Sequence, residues 1–141
     1  LGRVAARLSD APLPEVKRTL ITLWGPFVAA LVVVFWLSSL SHVPGAQRFW
    51  DKLLHAVGYA VLGVLALRAF HGGFRSLRME PTLYAALVVI LWAISDEIHQ
   101  SFVPGRDASP WDVVADAVGF LIAIVVFATW TLRSVRAERP R

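Results

Sequence analysis

The chain has 141 residues, the length of one domain, and carries a net charge of +4. Hydrophobic residues make up 57% of it and charged residues 17%, whereas soluble domains contain about 45–50% and about 25%. This composition excludes an ordinary soluble domain, and the absence of cysteine excludes disulfides, thiol nucleophiles and thiolate metal sites.

The apolar residues form four long blocks, and each is long enough, or nearly so, for a membrane-spanning helix of about 20 residues. The blocks are Leu20 to Leu40, Leu53 to Phe70, Pro81 to Ile98 and Trp111 to Leu132. The first exceeds the roughly 7–15 apolar residues of a signal peptide, which favours a retained span. We therefore predict an all-α membrane protein with four transmembrane helices in one domain, residues 20–132.

Basic residues flank this domain unevenly. They are concentrated in residues 1–19, in the link between the second and third spans, and in residues 133–141. The positive-inside rule predicts a multi-pass cell-membrane protein whose N-terminal segment (1–19) and tail (133–141) are both cytoplasmic. The basic charge then reflects topology and contact with anionic lipid rather than nucleic-acid binding. The start of the N-terminal segment fits an amphipathic surface helix and equally a disordered tail.

Two segments of the domain are similar to each other. Residues 50–59 read "WDKLLHAVGY" and residues 111–120 read "WDVVADAVGF", with five of ten positions identical. The segments lie two spans apart, so the two halves of the domain would point the same way. We predict two parallel helical-hairpin repeats related by an axis along the membrane normal. Chance, combined with the similar chemistry of helices entering a membrane, is the alternative explanation.

The repeated segments place polar residues on defined helix faces. Residues spaced i, i+4 and i+7 share one stripe of a helix, and the two stripes are Asp51/His55/Gly58 and Asp112/Asp116/Gly119. We expect the stripes to face each other, with both glycines allowing close approach of the helices. On the third span, a shared face is expected for Asp96, His99 and Gln100, with Glu97 about a quarter turn away.

The motifs in these segments resemble those of the VanZ-like family of bacterial membrane proteins, over about residues 24 to 130. A D-K-x-x-H segment is matched by Asp51, Lys52 and His55, and a D-E-x-x-Q-x-F-x-P-x-R segment by Asp96, Glu97, Gln100, Phe102, Pro104 and Arg106. A D-x-x-x-N-x-x-G segment is matched by Asp112 and Gly119, with Asp116 at the usual asparagine position. The resemblance implies a polytopic cell-envelope protein and an association with resistance to the glycopeptide teicoplanin.

The acids and histidines are candidates for general acid–base catalysis, because a histidine beside a carboxylate can transfer protons. Candidate catalytic residues are Asp51, His55, Asp96, His99 and Asp112; candidate substrate-binding residues are Lys52, Glu97, Gln100, Arg106 and Asp116. The excess of acids calls for protons, a cationic ligand or a cation, so a divalent cation is a candidate cofactor. The alternative is a set of structural hydrogen bonds and ion pairs between helices.

Three serines near the same end, Ser38, Ser39 and Ser95, are weaker candidates for a nucleophile. Serine in a membrane helix more often hydrogen-bonds the backbone.

The leading functional hypothesis is a protein that binds a membrane lipid or a lipid-linked cell-wall precursor at the outer face. The sequence leaves open whether it also modifies that substrate. One alternative is a non-catalytic module that lowers antibiotic binding to surface precursors, and another is a small transporter.

Overall fold

The computed structural model describes residues 13–41 and 48–137, which form four helices. They are α1 (Leu13–Ser38), α2 (Arg48–Phe70), α3 (Met79–Gln100) and α4 (Pro110–Ala137). Each contains 20 to 25 residues apolar enough to cross a membrane, and no strand occurs in the described ranges. The predicted all-α class with four transmembrane helices is confirmed. The suggested surface helix at the start of the chain lies largely outside the described residues.

The helices extend beyond the apolar blocks seen in the sequence. Helix α2 begins at Arg48, before the block that opens at Leu53, and α1 begins at Leu13 rather than Leu20. At the start of α2, polar residues such as Asp51 and Lys52 are helical because a helix N-terminus favours acidic side chains and other helices supply hydrogen-bond partners. The boundaries of apolar blocks therefore do not mark the helix ends.

Helices α2 and α4 form the most extensive contact in the bundle, and small residues make it possible. A Cβ atom on Gly63 would lie 2.7 Å from the Cβ of Ala123, and one on Gly119 would overlap the backbone carbonyl of Ala56. Contacts this close exclude any larger side chain, as in other membrane helix pairs built on small residues. The predicted role of Gly119 in close approach is confirmed.

The same prediction for Gly58 was wrong. A Cβ atom added at Gly58 would meet no atom within 4 Å. Residue 58 faces a cavity rather than α4, because the close contact with α4 runs along Ala56, Ala60 and Gly63 instead.

The two hairpins, α1–α2 and α3–α4, are arranged about the α2–α4 contact. Equivalent positions of the sequence repeat, His55 and Asp116, touch each other there, as expected for residues near an axis between parallel repeats. The symmetry is incomplete. Helix α3 packs on α2, whereas the described part of α1 makes no contact with α4. Helix α1 is consequently the least buried span, with 6% of its apolar window buried against 28–39% in the others.

At the end of the bundle where α2 joins α3, a buried histidine holds the link in place. His71 is 3% exposed; its Nδ1 hydrogen-bonds the carbonyl of Leu67 at 2.9 Å, and its Nε2 accepts the backbone N–H of Arg78 at 3.1 Å. Gly72 and Gly73 take positive φ angles of 68° and 121° and turn the chain out of α2. We call this the histidine-71 end.

Helix α1 is attached at the same end through an irregularity of its own. Pro26 lies inside α1 and has no N–H with which to bond the carbonyl four residues earlier. That carbonyl, of Thr22, instead accepts a hydrogen bond from Arg68 Nη1 of α2 at 2.8 Å. The arginine thus satisfies a backbone group exposed by the proline and ties α1 to α2.

Candidate functional site

The opposite end of the bundle, which we call the polar end, is where α1 and α3 finish and α2 and α4 begin. All ten candidate residues lie there, on α2, α3, α4 or the link between the last two helices. Asp51 and Asp112 occupy the first turns of α2 and α4, where the positive end of the helix dipole favours a carboxylate.

Polar residues of α2 and α4 pair directly across the helix contact. Lys52 forms an ion pair with Asp112, and His55 Nδ1 hydrogen-bonds Asp116 Oδ1 at 3.0 Å. Asp112 and Asp116 are both 1% exposed. Ligand atoms of Asp51, His55 and Asp112 lie within 4.8 Å of one another. The predicted facing of the two polar stripes is therefore confirmed.

A second polar group joins the ends of α1 and α3. Ser38 Oγ donates to Asp96 Oδ2 at 2.7 Å, and Gln100 Nε2 donates to the same oxygen at 3.2 Å. All three side chains are buried. This group closes the side of the polar end that α4 leaves open.

The link between α3 and α4 is held against the polar end by two candidate residues. Arg106 donates from Nε and Nη2 to Gln100 Oε1 at 3.2 and 2.6 Å. The backbone N–H of Ser109 donates to Glu97 Oε1. Gly105 has a φ of 82°, and a Cβ there would lie 3.1 Å from the Ser41 carbonyl. Glu97 and Arg106 thus anchor the link as well as bordering the polar end.

A cavity of about 350 Å³ lies between these groups, bounded by α1, α2 and α3. Its polar wall contains Ser38, Asp51, His55, Asp96, Gln100 and Arg106. Its apolar wall includes Leu37, Leu54 and Val57, which are 41%, 49% and 55% exposed. These exposed residues border the gap between α1 and α2, so the cavity opens sideways, toward the surroundings of the bundle.

Two residues of the cavity wall have buried polar atoms without a partner. They are the hydroxyl of Tyr59, a residue 2% exposed, and Oδ1 of Asp96, a residue 4% exposed. A buried polar atom without a hydrogen bond costs about 1–3 kcal/mol. An unpartnered buried atom calls for a physical explanation, and an ordered water or a ligand reached by a small side-chain movement is one such explanation.

Tyr59 is a residue of the cavity lining that the sequence patterns above did not predict. A signal for it is present, because Asp51, His55 and Tyr59 follow one another at intervals of four and share a stripe of α2. Gly58 lies beside that stripe, and a glycine there indicates a close helix contact more readily than a ligand site.

His99 lies apart from the cavity. Its Nε2 hydrogen-bonds Ser39 Oγ at 3.0 Å, directly after α1, and its ring stacks on Phe35 of α1 at 4.6 Å. As expected from their spacing, Asp96, His99 and Gln100 all face the end of α1: Asp96 and Gln100 bond Ser38, and His99 bonds Ser39. Asp96 and Gln100 also line the cavity, and His99 does not.

The serines differ in their surroundings. Ser39 donates to the carbonyl four residues earlier at 2.8 Å, which is the usual behaviour of serine in membrane helices. Ser38 Oγ lies 2.9 Å from the Val34 carbonyl and 2.7 Å from Asp96 Oδ2, so these two acceptors share its one hydroxyl proton. Ser95 is exposed on the outside of the bundle.

His55, by contrast, lines the cavity and is oriented by a buried carboxylate, an arrangement suited to proton transfer.

The fold and the polar end define a multi-pass membrane protein with an amphipathic cavity at one end of a four-helix bundle. The model of the VanZ/LLP1 family matches residues 11–132, and the chain belongs to that family. A search of curated proteins and a search of solved structures found no significant match.

Proposed function

We propose that the protein binds the polar head group of a lipid-like or lipid-linked molecule in this cavity, with the apolar chain leaving between α1 and α2. The observation that carries the proposal is the division of a mostly apolar cavity into a small polar wall, which includes buried Ser38, Asp96 and Gln100, and an exposed apolar opening. Its volume of about 350 Å³ falls at the lower end of the roughly 300–1,000 Å³ typical of small-molecule sites.

The polar wall suits a ligand that can donate hydrogen bonds. Asp96 Oδ1 can only accept if the carboxylate is ionised, and Ser38 and Gln100 already donate to its other oxygen. The Tyr59 hydroxyl can donate or accept. A head group with both hydroxyl or amino groups and an acceptor oxygen would satisfy both atoms.

Site-specific photo-crosslinking tests the proposal. The protein is placed in nanodiscs of phosphatidylethanolamine and phosphatidylglycerol, and these lipids are the probe. The photo-crosslinking residue benzoylphenylalanine replaces Leu54 and captures the lipid next to it. Position 87 is the control, because Leu87 of α3 is 57% exposed but does not line the cavity. We expect adducts at 54 to be enriched in one head group and adducts at 87 to reproduce the bulk composition.

A cavity-filling variant completes the test. Gly58→Trp places an indole in the open space beside residue 58, and it should return the adducts at position 54 to the bulk composition. Bulk composition at 54 in the unaltered protein would refute head-group binding in the cavity.

We further propose that His55, held by Asp116, acts as a general acid–base on the bound head group. The pair supports this because His55 lines the cavity while the buried carboxylate fixes its ring. Lipid extracts of cells expressing the protein should contain a product that His55→Ala and Asp96→Asn abolish and that Asp107→Asn, in the exposed link, retains. If no extract differs, the protein binds without catalysis, as the non-catalytic hypothesis holds.

The proposed orientation places the polar end at the outer face of the cell membrane. Arg68, Arg75 and Arg78 belong to the histidine-71 end, and basic residues mark cytoplasmic segments. An impermeant thiol reagent added to intact cells should label Phe102→Cys, whose parent side chain is 80% exposed, and leave Arg75→Cys unlabelled. Labelling of Arg75→Cys alone would reverse the orientation.

We propose that this binding links the protein to glycopeptide resistance of the teicoplanin type, through a change in lipids or lipid-linked precursors at the cell surface. Expression should raise the inhibitory concentration of teicoplanin, and Gly58→Trp should remove the increase. A small transporter is less well supported, because the cavity lies at one end of the bundle with a close α2–α4 contact beside it.

A further inference from the structure

We propose that the polar end binds one divalent metal ion of the zinc type between Asp51, His55 and Asp112. The site uses residues of α2 and α4 at their contact, and it does not require that the cavity bind a lipid. It would add a metal centre beside the proposed head-group site.

The three side chains are already close to a binding geometry. Their ligand atoms lie within 4.8 Å of one another. Zinc bonds of about 2.0–2.2 Å in a tetrahedral site separate the ligand atoms by roughly 3.4 Å. Inward shifts of the order of 1 Å therefore suffice, and Asp51 is free to rotate because its side chain is only half-buried.

A second observation concerns the fourth residue of the cluster. Asp116 bonds His55 Nδ1 through one oxygen, and its other oxygen, Oδ2, is buried without a partner. Metal-binding histidines usually donate their second ring N–H to a carboxylate, which orients the ring and strengthens its bond to the metal. In the tautomer whose Nδ1–H donates to Asp116, His55 would present Nε2 to the ion.

The charge of the polar end also calls for a cation. Its carboxylates outnumber its lysine and arginine side chains, and those that are buried cannot be compensated by water. Among the polar-end side chains that the structure describes, the acids are Asp51, Asp96, Glu97, Asp107, Asp112 and Asp116, and the lysine and arginine residues are Lys52 and Arg106. A bound divalent ion would offset much of this excess.

Lys52 gives a way to test whether Asp112 binds the ion. Its ammonium group now pairs with Asp112, so it occupies space next to one proposed ligand. The Lys52 side chain is 38% exposed, and a flexible lysine can move outward when an ion arrives. Ammonium and metal should compete for the Asp112 carboxylate.

The ligand types favour zinc over magnesium or calcium. One imidazole and two carboxylates suit zinc, whereas magnesium and calcium prefer oxygen ligands alone. Asp51 and His55 also line the cavity, so an open coordination position would face it. Such open positions distinguish reactive zinc sites from closed structural ones.

Equilibrium dialysis of the untagged full chain in detergent against zinc chloride, with metal measured by mass spectrometry, tests the proposal. We expect one ion per chain, at least tenfold weaker binding in His55→Ala and Asp51→Asn, and tighter binding in Lys52→Met. Asp107→Asn, in the exposed link, is the acidic control and should bind as the unaltered protein does. Excess magnesium should not displace the zinc.

Several results would overturn the proposal. These are no stoichiometric zinc, unchanged affinity in Asp51→Asn, or a loss in His99→Ala equal to that in His55→Ala. Unchanged or weaker binding in Lys52→Met would remove Asp112 from the site. Asp51 is half-buried, so the Asp51→Asn variant should fold normally. It therefore provides the test if His55→Ala does not fold. Lipid enrichment at position 54 is measured separately and without zinc, so failure of one proposal leaves the other standing.

Discussion

Each end of the bundle buries a histidine, but the two side chains are used differently. At the histidine-71 end both ring nitrogens of His71 have partners within the chain. At the polar end His55 has one such bond, and nearby Tyr59 and Asp96 leave buried atoms unpartnered beside a cavity. A fully bonded buried group stabilises the fold, whereas an unbonded one costs free energy until something binds it. This difference is the reason that we propose the polar end as the functional one.

The largest effect on the free energy of unfolding is expected at the α2–α4 contact, on which both ends of the bundle depend. Gly119→Ala should lower the free energy of unfolding by about 3 kcal/mol or more, because the added Cβ overlaps the Ala56 carbonyl and overpacking is costly. Gly58→Ala is the matched control and should change it by about 1 kcal/mol or less, since its Cβ enters open space. Unfolding by sodium dodecyl sulfate in mixed micelles measures both. Similar losses in the two variants would contradict the assigned α2–α4 contact.

A smaller effect is expected at the histidine-71 end. His71→Ala should lower the free energy of unfolding by about 2 kcal/mol, because the backbone N–H of Arg78 loses its partner in a buried site. Head-group enrichment at position 54 should stay unchanged, since His71 is far from the cavity lining. A loss of enrichment with normal stability would break the distinction between the two ends.

For Tyr59 at the polar end we expect the reverse of the His71 result, with stability unchanged and head-group enrichment lowered. Tyr59→Phe removes a hydroxyl that has no partner, so the free energy of unfolding should change by less than about 0.5 kcal/mol or rise slightly. Enrichment at position 54 should fall several-fold, because the ligand loses a hydrogen bond. A clear loss of stability would mean that the hydroxyl is satisfied within the protein.

The smallest effect is expected for the exposed polar pair at the same end. Ser39→Ala removes the hydrogen bond to His99, but this bond is exposed and competes with water. The free energy of unfolding should change by less than about 0.5 kcal/mol. The head-group enrichment at position 54 should also change little. A strong effect on enrichment would bring His99 back among the binding residues.

The sequence predicted those features that follow from helix periodicity. Four spans, the facing of Asp51 and His55 toward α4, and close approach at Gly119 all depend on spacing along one helix and on the repeat. The positions of Tyr59 and His99 depend on how α1 packs, which spacing does not reveal. Because α1 contacts α2 and α3 but not the described part of α4, a cavity forms beside it, and no pattern in the sequence predicts that asymmetry.

The contact between His55 and Asp116 also bears on why the two halves differ at this position. These residues occupy equivalent positions of the repeat and lie 3.0 Å apart. Two identical hairpins would bring the same side chain to both positions, and two buried aspartates there would repel each other. A histidine opposite the buried aspartate avoids that repulsion and forms a hydrogen bond instead. Exchange of the two residues by His55→Asp together with Asp116→His should therefore preserve the pair.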